Sequence, residues 1–500
     1  MKVVGGGHNA PMTYSVTSID IWAIGFTIII GGQFFYWNGN LVAGTVGYGF
    51  VVFFVGLAFV ALGFSMAEMS SMLPFAGGVY GLSRCTIGFQ AGFILGFASI
   101  WPEWEPYQPL IWFLTIASSS LLVAIGGKLY WRFILGLAVF LFLQTLIFCL
   151  GCLQYLDYGQ YAGGPEYTFV GGPELWFAVF PFGVWMFSGI EALNTLCNEV
   201  RDPKTMIPRG QVACSLTVFA TACSIYIVAI GLPPGLEALM GSLVIFNNCY
   251  IEMFKITDTF STILFFPACL SSFPGLLLSS SNILASMSES KLLPYDVHTR
   301  HPTLHSPIRA LLCTSTWAFA TCFITAYLPD FDYTMYSVTI LFSCLAFTSQ
   351  CFGYAYLKRR YKTMSREFHS PLGVPGAVYA VLIFTCCAIS TLVIQETNLS
   401  CTITVVCVFG ALSLYYQILF FAHIANNNNA KRRSVAPRRN FVSRLFRKFS
   451  SKSSSRPHSG RHHLVSPNKV YLSDARGSAP GASQGSGAMS SMHKSLKESK

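Results

Sequence analysis

The stretch IIIGGQFFYWNGNL, Ile28–Leu41, sets two consecutive glycines inside the first long apolar run, with Phe34, Phe35, Tyr36 and Trp37 directly after them. A breaker inside a membrane helix frees N–H and C=O groups, which hydrocarbon tolerates only where they line a cavity or bind something. The sixth apolar run, FPFGVWMFSGIEALNTLCNEVRDP (Phe180–Pro203), carries Gly183, Ser188 and Gly189, with an ionisable Glu191 on the next turn. Paired breaks five runs apart predict two discontinuous helices near the bilayer midplane, the arrangement in which membrane transporters hold their cargo.

Composition supports the membrane setting. Hydrophobic residues make up 53% of the 500 and charged residues only 11%, against about 25% charged in soluble domains; the mean hydropathy is +0.52. A helical span takes about 20 mostly apolar residues. Twelve candidates meet that need, at 18–44, 47–69, 86–104, 109–126, 131–152, 175–197, 211–233, 258–287, 307–328, 333–357, 374–396 and 401–424. Three regions follow: a polar segment 1–17, a transmembrane domain 18–424, and a basic tail 425–500 too poor in large apolar residues to bury a core.

The basic residues give an independent reading of the same map. Of 32 Lys and Arg, 16 lie in the tail and 15 on alternate connections, leaving Lys255 alone on the other set. That other set carries Asp157, Glu166, Glu174, Glu237, Asp330, Asp332 and Glu396. Basic residues stay on the cytoplasmic side, so both termini are expected inside, in a multi-pass protein of a cellular membrane, the plasma membrane being the expected one. The net charge of +11 then reflects topology, and nucleic acid is not an expected partner. Residues 1–17 do not form a cleavable signal, so the first span doubles as the targeting signal.

Sites are expected at the two breaks. A helix beginning at Gly31–Gly32 would aim free N–H groups at a carboxylate. Trp185 and Phe187 could cap a small guest or simply pack, and Glu191 reads as a group for proton coupling or gating, or as a hydrogen-bonded structural acid. Glu68, near the end of the second run, reads either as a conformational lock or as an interfacial charge. The glycine-rich PFAGGVYG (74–81) follows no strand and is read as a tight corner, not a phosphate loop. Cys149 and Cys152 are read as packing cysteines. His298, His301 and His305 lack metal-ligand spacing, and no metal or cofactor is expected. No ATP-binding loop and no cluster of His, Asp or Ser at one depth supports an embedded enzyme.

Several segments in order resemble the amino acid–polyamine–organocation transporters, in particular their ethanolamine-permease-like and amino acid permease members: IIGGQFFYWN (29–38), FSMAEMSSMLPFAGGVYGLSRCTIG (64–88), FSGIEALNTLCNEVRDPKTMIPRG (187–210), SNILASMSESKLLP (281–294) and HPTLHSPIRALL (301–312). The resemblance covers about 15–424 and implies an all-α membrane protein with a five-plus-five inverted repeat, broken helices 1 and 6, and two further helices. It implies a secondary transporter of amino acids or related amines working by alternating access, with proton or sodium coupling or exchange; the alternative is a non-transporting receptor on the same scaffold. By the same resemblance Gly31, Gly32 and Gln33 would hold a substrate carboxylate through backbone N–H groups. Phe187 and Ser188, beside Gly189, would offer carbonyls to an ammonium group, Trp185 would be the aromatic gate, and Glu191 and Glu68 would serve coupling and gating. The third span departs from the family in length: Gly88 to Trp101 is 14 residues, about 21 Å of helix.

Overall fold

The computed structural model describes residues 14–73 and 107–418, apart from 291–292, 294–295, 302–303, 305, 328–330, 396–398, 409, 412 and 416. The third candidate span, the glycine-rich corner, His305 and the tail lie outside the described residues. Every other candidate span coincides with an apolar helix. In chain order these are α1 (Ser18–Phe34), α2 (Thr45–Met72), α3 (Gln108–Ile125), α4 (Gly127–Gly151), α5 (Gly172–Val179), α6 (Pro203–Ala229), α7 (Asp258–Glu289), α8 (Ile308–Tyr327), α9 (Phe331–Arg360), α10 (Gly373–Val393) and a last helix, Leu399–Tyr415. Eight helices of the described residues are long and apolar enough to cross a membrane, and no strand occurs among those residues. The protein is an all-α, multi-pass membrane protein.

Local chemistry sets the ends. α1 starts where the Thr17 N–H and hydroxyl both donate to the Asp20 carboxylate, each at 2.8 Å, with Tyr14 adding a third donor at 3.2 Å. An acid in the first turn also suits the positive end of the helix dipole. The chain turns into α2 through Gly44, whose φ of +91° a side chain would resist. Pro203 opens α6, where its missing N–H costs nothing.

α1 lies at the centre, packed on α4, α6 and α7, while α2 packs along α6 and against α9 and α10. The core built there is buried on all sides: Ile24, Phe26, Ile30 and Phe34 of α1 are inaccessible. α3 and α4 instead leave Leu110, Phe113, Leu121, Phe133 and Leu143 exposed, as expected of helices facing lipid rather than water.

Between α6 and α7 the chain forms two short helices, Leu236–Gly241 and Asn247–Phe254, that reach back to the end of α1. Asn38 Nδ2 donates to Ser242 O at 2.6 Å, and Ile245 N to Phe34 O at 3.2 Å. Cys249 of the second helix is disulfide-bonded to Cys152, just past α4, with Cα atoms 6.5 Å apart. This corrects the sequence reading of Cys152 as a packing cysteine; its partner lies 97 residues away, a separation no local motif reveals. Cys149 remains a free thiol. Peptide mapping of unreduced protein should recover the Cys152 and Cys249 peptides joined, and Cys249→Ser should lower the thermal midpoint. Full alkylation of both thiols without reductant would refute the pairing.

Candidate functional site

The sixth span shows why its sequence cannot remain an α-helix. α5 ends at Val179, Phe180–Met186 and Ile190–Asn198 wind as tighter 3₁₀ turns, and Phe187–Gly189 interrupts them. Pro181 removes a backbone donor, and Gly189 takes a φ of +120°. The freed N–H groups find partners. Val184 O accepts from Phe187 N at 3.1 Å, Ser188 N at 3.0 Å and Ser188 Oγ at 2.9 Å. Gly189 N donates to Glu191 Oε2 at 2.9 Å, so the buried Glu191 folds back over the start of the second 3₁₀ segment. The break falls where the sequence places it.

The first break does not. α1 runs straight through Gly31 and Gly32 to Phe34, and the chain departs from helix at Phe35, which is extended, and Tyr36, with φ of +67°. The N–H groups of Gly31, Gly32 and Gln33 therefore lie inside a continuous helix, each facing the carbonyl one turn earlier. The glycines serve close approach instead: a Cβ on Gly32 would collide with the carbonyl oxygen of Trp185. Carbonyls, not amides, end this helix. Gln33 O accepts from Trp37 Nε1 at 2.8 Å, and Phe35 O from Trp185 Nε1 at 3.3 Å.

The interrupted sixth span and α1 are thus laid backbone to backbone. Gly189 presses on Ile28 and Ile29. Gln33, fully buried, acts as a strut: its Nε2 donates to Met186 O at 3.3 Å and Val218 O at 3.0 Å, and its Oε1 accepts from Thr221 Oγ1 at 2.8 Å. Gly32, Gln33, Trp185, Gly189 and Glu191 come together, with Gly31 in the helix beside them. Phe187 does not join them; its ring stacks on Phe59 of α2 at 5.7 Å. Ser188 turns its hydroxyl inward to Val184 O. Trp185 meets Tyr336 of α9 at 5.6 Å between ring centres.

Three neighbours escaped the sequence reading. Thr221 and Tyr336 lie far away in sequence, and no local pattern marks either. Asn282 sits on α7 one turn beyond Ser279, which accepts from Thr195 Oγ1 of the sixth span at 3.1 Å. Both amide atoms of Asn282 are buried without a hydrogen-bond partner among the described residues, as is Asn194 Oδ1. An Asn inside a serine-rich apolar helix was the available signal. These atoms are spare polar capacity beside the interrupted span.

Glu68 belongs to a separate group at the other end of α2. Its carboxylate is fully buried, and Oε2 accepts from Tyr354 Oη at 2.7 Å, Lys358 Nζ at 3.0 Å and Ser370 N at 2.9 Å. Oε1 faces Arg366 Nε at 3.5 Å. One acid therefore fastens α2 to α9 and to the connection before α10. Separately, Glu199 at the end of the sixth span pairs with Arg300 at 3.2 Å.

With this geometry in place the class is clear. Residues 110–435, more than half of the chain, match the family described as amino acid permease. The protein belongs to that family, within the amino acid–polyamine–organocation superfamily of transporters. Among curated proteins it is similar to an uncharacterized transporter of Rhizobium meliloti (strain 1021), 23% identical over 330 residues, covering 58% of this chain and 69% of that one. It is also similar to the methylthioribose transporter of Bacillus subtilis (strain 168), 22% identical over 341 residues, covering 61% and 72%.

The Glu68 group yields a direct test. Glu68→Gln leaves two cations facing a neutral amide in a desolvated site, and removing one member of such a pair costs about 3 kcal/mol. The thermal midpoint should fall, and the double substitution Glu68→Gln/Lys358→Met should recover part of the loss. An unchanged midpoint in the single variant would show that the acid is only an interfacial charge.

Proposed function

We propose that the protein is a secondary transporter that moves an amino acid or a related amine across a membrane by alternating access, driven by a proton or sodium gradient or by exchange. The observation that carries this reading is the interrupted sixth span, buried and lying backbone to backbone on α1. An unsatisfied backbone group in hydrocarbon costs several kcal/mol, so an interruption at this depth is kept only where it does something. Transporters of this architecture hold their cargo at such places.

In this reading Trp185 is the aromatic gate. The carbonyls of Phe187 and Ser188, beside Gly189, receive an ammonium group. The amides of Gly31, Gly32 and Gln33 receive a carboxylate once α1 unwinds there, a step that two glycines make cheaper, since each is worth about 1 kcal/mol less than alanine inside a helix. Glu191 takes part in coupling by exchanging its bond to Gly189 N for a proton, and Glu68 is the lock that holds α2 to α9. The protein acts in the plasma membrane with both termini in the cytoplasm, and the carried molecule is its small-molecule partner.

The test is uptake into proteoliposomes of labelled amino acids, ethanolamine, polyamines and methylthioribose, with and without inward proton or sodium gradients. Stimulated uptake of one chemical class is the expected result. Saturable binding with no uptake of any compound would assign a receptor instead. Gly32→Leu should reduce uptake to background while the protein still reaches the membrane, because no side chain fits against the Trp185 carbonyl. Normal uptake by that variant would sink the proposed site. Glu191→Gln should remove stimulation by a proton gradient while leaving exchange of internal for external substrate; retained stimulation would place the proton elsewhere.

A further inference from the structure

The run LKRRYK, Leu357–Lys362, closes α9 with its cations sorted to opposite faces. Lys358 turns inward, hydrogen-bonded to Glu68 and Tyr354. Arg359 and Arg360 turn outward, are exposed, and make no ion pair among the described residues. With Phe352, Ala355 and Tyr356 they line an open groove of about 390 Å³. The spacing 352, 355, 356, 359, 360 is one face of a helix. Phe352 and Tyr356 are 63% and 61% exposed, and Leu345, 42% exposed, lies two turns deeper beyond Thr348 and Ser349.

We propose that this groove binds an anionic glycerophospholipid, its phosphate held by Arg359 and Arg360 and its acyl chain laid along Phe352, Tyr356 and Leu345. The geometry matches such a molecule end to end: a fork-shaped cation pair suited to phosphate, then a rising apolar strip. Charge decides the occupant. The chain's own tail, 425–500, carries sixteen Lys and Arg against Asp474 and Glu498, so two arginines repel it. A zwitterionic lipid brings an ammonium group into the same field. The site stands independently of which molecule is transported.

The experiment uses the full chain in detergent, exchanged into phosphatidylcholine and titrated with phosphatidylglycerol, with bound lipid counted by native mass spectrometry. The wild type should retain one phosphatidylglycerol. Arg359→Gln/Arg360→Gln should weaken that retention about 30-fold, the scale expected for two basic residues at an anionic lipid surface. Lys128→Gln, a neutralised exposed cation in the first turn of α4, should match the wild type. Inorganic phosphate should not compete. Equal retention by the double variant, equal binding of phosphatidylcholine, or displacement by free phosphate would each overturn the assignment. Cross-linking of the groove to residues 74–106 or to the tail in the presence of the lipid would do the same.

Discussion

The structure depends on one constraint: a chain that unwinds inside hydrocarbon has to satisfy every backbone group it frees. The sixth span meets it for its N–H groups and for Met186 O with contributions from three elements. Val184 O gathers three donors from the two residues that follow the first 3₁₀ segment. Met186 O is taken by the Gln33 side chain of α1, which is held in turn by Thr221 of α6. Gly189 N is taken by Glu191. The interruption is thus a shared property of α1, α6 and the span itself. Gln33, set among apolar residues, is the piece that makes the sharing possible.

The two buried acids solve the same problem by different means. Glu68 has two cations, Lys358 and Arg366, beside two neutral donors, Tyr354 and Ser370 N, and it ties together elements distant in sequence. Glu191 meets a backbone amide two residues away, and no cation of the described residues reaches it. A carboxylate in a low-dielectric site without a cation is expensive to keep ionised. The first arrangement joins α2 to α9 and to the connection before α10; the second stays within its own segment. The two acids thus differ in their surroundings, even though both are acids within apolar runs.

Much of this was legible in the sequence. Hydropathy and the alternation of basic connections located the spans, because both follow from partitioning that each residue undergoes on its own. The break at Ser188–Gly189 was legible for a similar reason: glycines act on their own backbone. Gly31–Gly32 misled, because a glycine pair permits a break and also permits close packing. Only the carbonyl of Trp185, about 150 residues away, selects the second use. The strut through Gln33, the joint at Glu68 and the Cys152–Cys249 bond share that non-local origin. Each requires knowing which helices become neighbours, and hydropathy does not carry that information.

The bond between Cys152 and Cys249 closes the chain into a covalent ring, and the ring encloses the interrupted sixth span together with all of α6. The two ends of this module sit on the same side of the bundle and are held to a fixed separation. Whatever rearrangement occurs within it has to conserve its perimeter. A protease that nicks the chain anywhere between the two cysteines leaves the two fragments covalently joined.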